Sequence, residues 1–277
     1  MHAFRIVNVF TIDGDQFSGN PLCVFEDARG ISELQMQALA RQMNLSETTF
    51  VLPSETGDAR VRIFTPGYEM PFAGHPTLGT ASVIAAGRDR VVLDLKAGLV
   101  PVTRTGDAWT LRAATPVTRK VDATRDELAR MVGLPAGSVS DEPLWVNTGV
   151  DQLVIPIATA ALVRDAKPAP ELLARWGFSE TREEAMAYLW AADEAEWTVR
   201  FFFTANGATL EDPATGSACA NLGGWHLAQR KAPMSAILRQ GAAVGRPSRL
   251  GLRVEADGGI YVTGSVLELG RGSIELA

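Results

Sequence analysis

Two stretches of this 277-residue chain, PTLGTASVIAA (76–86) and SACANLGGWHLAQ (217–229), are long enough for helices yet carry small or apolar residues on nearly every face. A helix without a polar face has to be buried. Small side chains also let neighbouring backbone close in from all sides. Strands are the plentiful partner here, so the pattern predicts a helix wrapped by strands, and predicts it twice.

The expected strands are apolar or β-branched runs: FRIVNVF (4–10), TTFVLP (48–53), VRIF (61–64), RVVLDL (90–95), WTL (109–111), LVIPI (153–157), WTVRFFF (197–203), LGLRVEA (250–256), GGIYVTG (258–264) and SVLELG (265–270). Turn dipeptides such as Asp-Gly and Thr-Gly separate many of them, which favours antiparallel pairing. Four further helices are predicted. Ser32-Glu33-Leu34-Gln35 has capping-box spacing, and Leu34, Ala38 and Arg41 stand at helical period with Met36, Ala40 and Met43 beside them. Thr124 to Glu127 opens a second helix that stops at Gly133, Pro170–Trp176 before Gly177 is a third, and Arg182–Ala192 a fourth.

The two unusual helices belong to a repeat. Residues from 61 read VRIFTP…EMPFAGHPTLGTA and residues from 199 read VRFFFT…EDPATGSACANLGG. Each has a Val-Arg strand, an acid before a proline, a glycine and a small-residue helix, in that order. The expected architecture is α+β, with two similar domains over 1–116 and 117–267, between which a cleft would form.

Composition narrows the chemistry. A net charge of −6 and no Lys/Arg cluster argue against nucleic acid or an anionic membrane as partner. The N-terminus lacks the features of a signal peptide, and no run approaches the length of a spanning helix, so the expected location is cytoplasmic. With two cysteines and three histidines there is no zinc ligand set and no disulfide framework. Neither GxGxxG after a strand, nor a Walker loop, nor GxSxG occurs. The chemistry is expected to need no metal or other cofactor and to fall on carboxylates, hydroxyls, a histidine and backbone.

The mouths of the two helices suit it. A helix N-terminus presents unsatisfied N–H groups and a partial positive charge to an anion. Gly74 and Gly216 would let a ligand approach the backbone. Should the repeats face one another, His75 and Ser217 would flank a pocket for a small carboxylate. Pro76 suits a first helical position, which puts His75 at or next to the N-cap. The helix end favours a neutral ring there, and a nearby Glu47 or Asp212 carboxylate favours a charged one. Simpler readings stand beside these: tight-turn glycines, a capping His75, a turn or cap Asp212 before Pro213, a capping Ser217 and a solvated Glu47 on a connection.

The segments MNLSETTFVLP (43–53), RIFTPGYEMPFAGHPTLGTA (62–81) and EDPATGSACA (211–220), with FSGNPLCVF near the start and GRPSRL…GRGSIEL at the end, resemble the signature segments of the PhzF-like isomerases of phenazine biosynthesis. The resemblance is weakest over about 115–196. It implies a diaminopimelate-epimerase-like fold: two domains, each a mixed, largely antiparallel sheet curled around a central helix. A last strand, about 268–277, would return to the first domain, and a homodimer would form. It also implies that Glu47 is the acid/base and that His75, Asp212 and Ser217 surround the substrate. The catalytic residues expected are thus Glu47, His75 and Asp212, with Ser46, Gly74, Gly216 and Ser217 binding the substrate.

Epimerases of the wider fold use a facing cysteine pair, but Ala73 and Ala214 stand at the corresponding places here. One carboxylate that takes a proton from one carbon and returns it to another fits better. The function expected is thus a cofactor-independent isomerase of a small carboxylate metabolite. A binding protein without turnover, or a lyase or hydrolase on the same pocket, are the alternatives.

Overall fold

The structure is a computed structural model that describes residues 1–205 and 207–276. Its chain divides into two compact units, Met1–Arg112 with Thr263–Ala277, and Ala113–Val262. The final position of the expected 268–277 strand lies outside the described residues. No helix among the described residues is long and apolar enough to cross a membrane.

The first unit runs β1 (His2–Val9), β2 (Asn20–Phe25), α1 (Glu33–Met43), β3 (Glu47–Leu52), β4 (Ala59–Phe64), β5 (Glu69–Met70), α2 (Gly74–Ile84), β6 (Arg90–Leu95), β7 (Gly98–Thr105) and β8 (Ala108–Arg112). Neighbouring strands pair antiparallel except β2 with β3 and β4 with β6, which are parallel and joined through α1 and α2. The sheet curls around α2, which packs on β1, β2, β3, β6, β7 and β8. Glycine makes this fit possible: a Cβ on Gly79 would lie 2.6 Å from Leu22 Cδ2 and 2.9 Å from Val9 Cγ2. On the sheet's other face, α1 covers a cluster of Cys23, Phe25, Phe50 and Phe64 with its Met36, Leu39 and Ala40. Leu34 is exposed.

The second unit again sets a small-residue helix, α6, after a short strand, with further elements before it. It runs β9 (Val117–Lys120), α3 (Arg125–Met131), β10 (Leu144–Asn147), β11 (Asp151–Pro156), α4 (Ala160–Asp165), α5 (Pro170–Trp176), β12 (Phe178–Ser179), β13 (Glu184–Ala191), β14 (Trp197–Ala205), β15 (Ala208–Asp212), α6 (Gly216–Ala228), β16 (Met234–Gln240), β17 (Ser248–Val254) and the start of β18 (Ile260–Ile274). The rest of β18 is counted with the first unit, where it pairs antiparallel with β1. The two separate strands expected over 258–270 are thus one. Here β11–β13 and β14–β16 are the parallel pairs, and α6 packs on β9, β10, β11 and β17. A Cβ on Gly223 would meet Ile260 at 2.8 Å and Leu252 and Val254 at 3.2 Å.

An ion pair explains why the repeat carries an arginine and an acid. Arg62 on β4 holds Glu69 on β5 through two bonds of 2.7 and 2.8 Å, and Arg200 on β14 holds Glu211 on β15 at 3.0 and 2.6 Å. Bidentate pairing of this kind fixes geometry as well as charge. The hydrogen bonds from Arg62 hold the Glu69 carboxyl below its ordinary range, which makes it a structural acid.

One expected helix is a strand. Residues 182–192 hold four alanines, two glutamates and a methionine, all helix formers, yet Glu184–Ala191 forms β13 between β11 and β14. Burial on two faces decides it. Ala185, Ala187, Leu189 and Ala191 alternate into a cluster with residues of α3 and α5, while Trp190 stacks edge-on to Trp225 of α6. Period-two burial on both faces suits a central strand. The short helix α4 was not expected.

His226, in the last turn of α6, sits among Trp190, Trp197 and Trp225 with ring centroids 5.3, 5.2 and 5.0 Å away. Neither ring nitrogen has a hydrogen-bond partner. Burial, with Lys231 adding to it and Asp141 opposing, lowers its pKa from 6.5 to about 4. Between those values the unfolded chain binds a proton that the folded chain refuses, so stability is full above the unfolded pKa and falls as the pH drops toward 4. The loss has an upper bound of ~3 kcal/mol. His226→Phe keeps the ring packing and is expected to flatten urea-derived stability across that window. A wild-type curve already flat there would refute the assignment.

Candidate active site

In the first unit, α1 ends at Asn44, whose left-handed conformation (φ 53°) turns the chain directly into β3. Ser46 and Glu47 therefore stand at the start of β3, with Glu47 level with Leu22 of β2. Strand alternation sets their direction. Phe50 points into the α1 cluster, whereas Thr49 meets Thr80 of α2 through hydroxyls 2.8 Å apart. Glu47, two residues before Thr49, shares its face. The result is a carboxylate against a histidine: Glu47 Oε2 lies 3.3 Å from His75 Nε2, and the side chains are 15% and 6% exposed.

Helix α2 begins two residues earlier than expected. Its N-cap is Ala73, in extended backbone and with no side-chain cap bond, so His75 is the second helical residue. A capping His75 is thereby corrected. Pro76 occupies the third helical position, still within the first turn where no N–H is needed. Gly74 is buried beside His75, and exposed Ser46 donates its hydroxyl to Asn20 Oδ1 at 3.2 Å.

The second unit builds the equivalent helix mouth from other chemistry. Thr215 is the N-cap of α6, so Ser217 is again the second helical residue and not a cap. Asp212 ends β15 and accepts the Thr215 hydroxyl at 2.5 Å. Gln240 grips this turn: Nε2 donates to the Asp212 carbonyl at 2.9 Å and to Thr215 Oγ1 at 2.8 Å, and Oε1 accepts the Thr215 N–H at 3.2 Å. Because Thr215 Oγ1 accepts from Gln240, its proton goes to Asp212. Ser217 accepts from Gln152 Nε2 at 3.0 Å.

Sequence reasoning missed Asn20, Thr49, Thr80, Gln152, Thr215, Asn221 and Gln240. Only Asn221 left a signal, as a lone amide inside a helix of small apolar residues. Thr215 lies only three residues after the Asp212 it meets, and the others act across separations that no local spacing reveals.

Both thiols are inert. Cys23 and Cys219 are fully buried, and burial pushes the Cys23 thiol up to about 12 and the Cys219 thiol higher still. Neither supplies a thiolate at neutral pH. Ala73 and Ala214 are buried. Two surface grooves of about 370 Å³ lie elsewhere in the first unit, one by Asp58 and Arg88 and one by Arg5 and Trp109, and neither includes Glu47 or His75.

With this geometry in view, the comparisons are specific. The model of the phenazine biosynthesis-like protein family, PhzC-PhzF, matches residues 7–267. The chain belongs to this family. An uncharacterised isomerase of Pasteurella multocida is 37% identical to this family member, over 99% of the chain and 94% of the relative. The trans-2,3-dihydro-3-hydroxyanthranilate isomerase of Pseudomonas aeruginosa is 35% identical, over 93% of the chain and 92% of the relative. The crystal structure of the Bacillus anthracis phenazine biosynthesis protein of the PhzF family covers 99% of both chains with a TM-score of 0.85 at 24% identity, which shows a shared fold. The protein is a PhzF-like isomerase with a mixed, sheet-rich fold of few helices.

Proposed function

We propose that this PhzF-like isomerase moves a proton between two carbons of a small carboxylate without a cofactor, with Glu47 as the acid/base. The observation that carries the reading is the largely buried Glu47–His75 pair at 3.3 Å. Glu47 removes a proton from one carbon, the electron pair delocalises toward the substrate carboxylate, and the Glu47 carboxyl, its proton exchanging with solvent, delivers a proton to another carbon. Bonds broken and formed balance, and no oxidant or reductant is needed. His75 orients Glu47 and steadies charge as the proton moves, and general acid–base transfer of this kind contributes ~10²–10⁴-fold. Gly74 offers close backbone approach at the positive end of α2. Asp212 and Ser217, with Gly216 and Ser46, serve the same substrate by binding it.

The relatives support trans-2,3-dihydro-3-hydroxyanthranilate, or an unsaturated amino carboxylate like it, as the substrate class. The test is incubation of that compound with the enzyme in heavy water, followed by NMR. Isomerised product carrying deuterium at a carbon is the expected result. A product of hydrolysis or elimination would overturn the reading in favour of a lyase or hydrolase.

His75→Asn is expected to reduce kcat/KM by at least ~10-fold with little change in melting temperature. Should the variant melt earlier while its folded fraction turns over normally, His75 is a packing residue only.

A further inference from the structure

A chain of buried amides ends on Ser217, and its direction can be read from both ends. The Thr148 N–H can only donate, so the Asn221 atom it meets at 2.9 Å is Oδ1. The Val150 carbonyl can only accept, so the Asn221 atom 2.8 Å from it is Nδ2. That same Nδ2 donates to Gln152 Oε1 at 2.8 Å. Gln152 is then left with Nε2 to give to Ser217 Oγ at 3.0 Å. Thr148, Gln152 and Asn221 are 3%, 1% and 0% exposed, whereas Ser217 is half-buried at the mouth of α6.

Two backbone groups that cannot change roles thus set both amides. Ser217 receives a hydrogen bond from the protein side, and its own proton is left to be given away. We infer that Gln152 and Asn221 are positioning residues that hold the Ser217 hydroxyl as a hydrogen-bond donor to an acceptor oxygen of the substrate. This deepens the proposed function and rests on it, because it assigns Ser217 a carboxylate or a developing enolate oxygen as its partner. A preset donor needs no reorientation when negative charge develops.

The test is a double-mutant cycle on turnover of trans-2,3-dihydro-3-hydroxyanthranilate. Ser217→Ala is expected to lower kcat/KM by ~10-fold or more. Gln152→Met keeps the volume and should lower it by ~3–10-fold in the wild-type background. On the Ser217→Ala background it should change it by less than ~2-fold, because the glutamine acts through the serine. Equal effects of Gln152→Met in both backgrounds would mean a packing role and overturn the inference. Should Gln152→Met not fold, Gln152→Glu replaces it. Its carboxylate accepts from both Asn221 and Ser217, turns the hydroxyl inward, and should match Ser217→Ala within ~3-fold. A Gln152→Glu enzyme as fast as wild type also overturns the inference. Failure of the underlying reading looks different: Glu47→Gln would then remain active, or wild type would place no deuterium in the product. If Glu47→Gln is inactive and Ser217→Ala is as fast as wild type, only the donor assignment falls.

Discussion

Glu47→Gln is expected to lose at least ~100-fold in turnover while the folded protein still binds substrate. The amide matches the carboxylate in size, so β3 and the Thr49–Thr80 contact that seats it on α2 are left alone. What disappears is the ability to hold a proton that belonged to a carbon. Steady-state turnover of the proposed substrate, with titration of the same compound to measure binding, separates the two effects. A kcat that collapses with KM nearly unchanged is the signature of a group that acts in the transition state. Turnover equal to wild type would remove Glu47 from the mechanism. The inert thiols make the result decisive, because Cys23 and Cys219 are buried and protonated and offer no substitute base.

The second large effect is structural and reaches the other helix mouth. Gly241 adopts φ +78°, and a Cβ there would lie 2.2 Å from the Arg246 carbonyl oxygen and 2.4 Å from that of Pro213. Both obstacles are backbone, so neither can swing aside as a flexible side chain would. Gly241→Ala combines a left-handed conformation with this overlap, at a cost of about 3 kcal/mol. For a chain of this size that corresponds to a melting temperature about 10 °C lower. The same change pushes on Pro213, next to Asp212, and on Gln240, which holds the Asp212–Thr215 turn. Activity of the folded fraction at low temperature should therefore fall too. Calorimetry and low-temperature kinetics check both parts, and a Gly241→Ala protein that melts like wild type would show that the turn has room the geometry denies it.

Local rules were enough for much of the fold. The capping boxes at Ser32 and Thr124 and the Pro170–Gly177 bracket each mark a helix by chemistry complete within a few residues. They failed where burial overrode propensity. Glu184–Ala191 reads as a helix because alanine, glutamate and methionine favour one, and only its place between two strands makes it β13. The helical period of α1 includes Leu34, but burial falls on Met36, Leu39 and Ala40 and leaves Leu34 exposed.

The sequence by itself determined that two faceless small-residue helices had to be buried, that a strand–acid–glycine–helix unit occurs twice, that His75, Asp212 and Ser217 stand at the helix mouths of those units, and that Glu47 stands on the connection before the strand at 48–53. Each of these follows from side-chain size, charge or backbone freedom within about fifteen residues. Tertiary structure decided the rest. It set Glu47 3.3 Å from His75 through the register of β3 on α2. It paired Arg62 with Glu69, and Arg200 with Glu211, across neighbouring strands. It also ran an amide chain from Thr148 to Ser217 over residues as much as 73 apart. Hydrogen-bond direction depends on which donor meets which acceptor, and those meetings exist only once the strands have wrapped the helix.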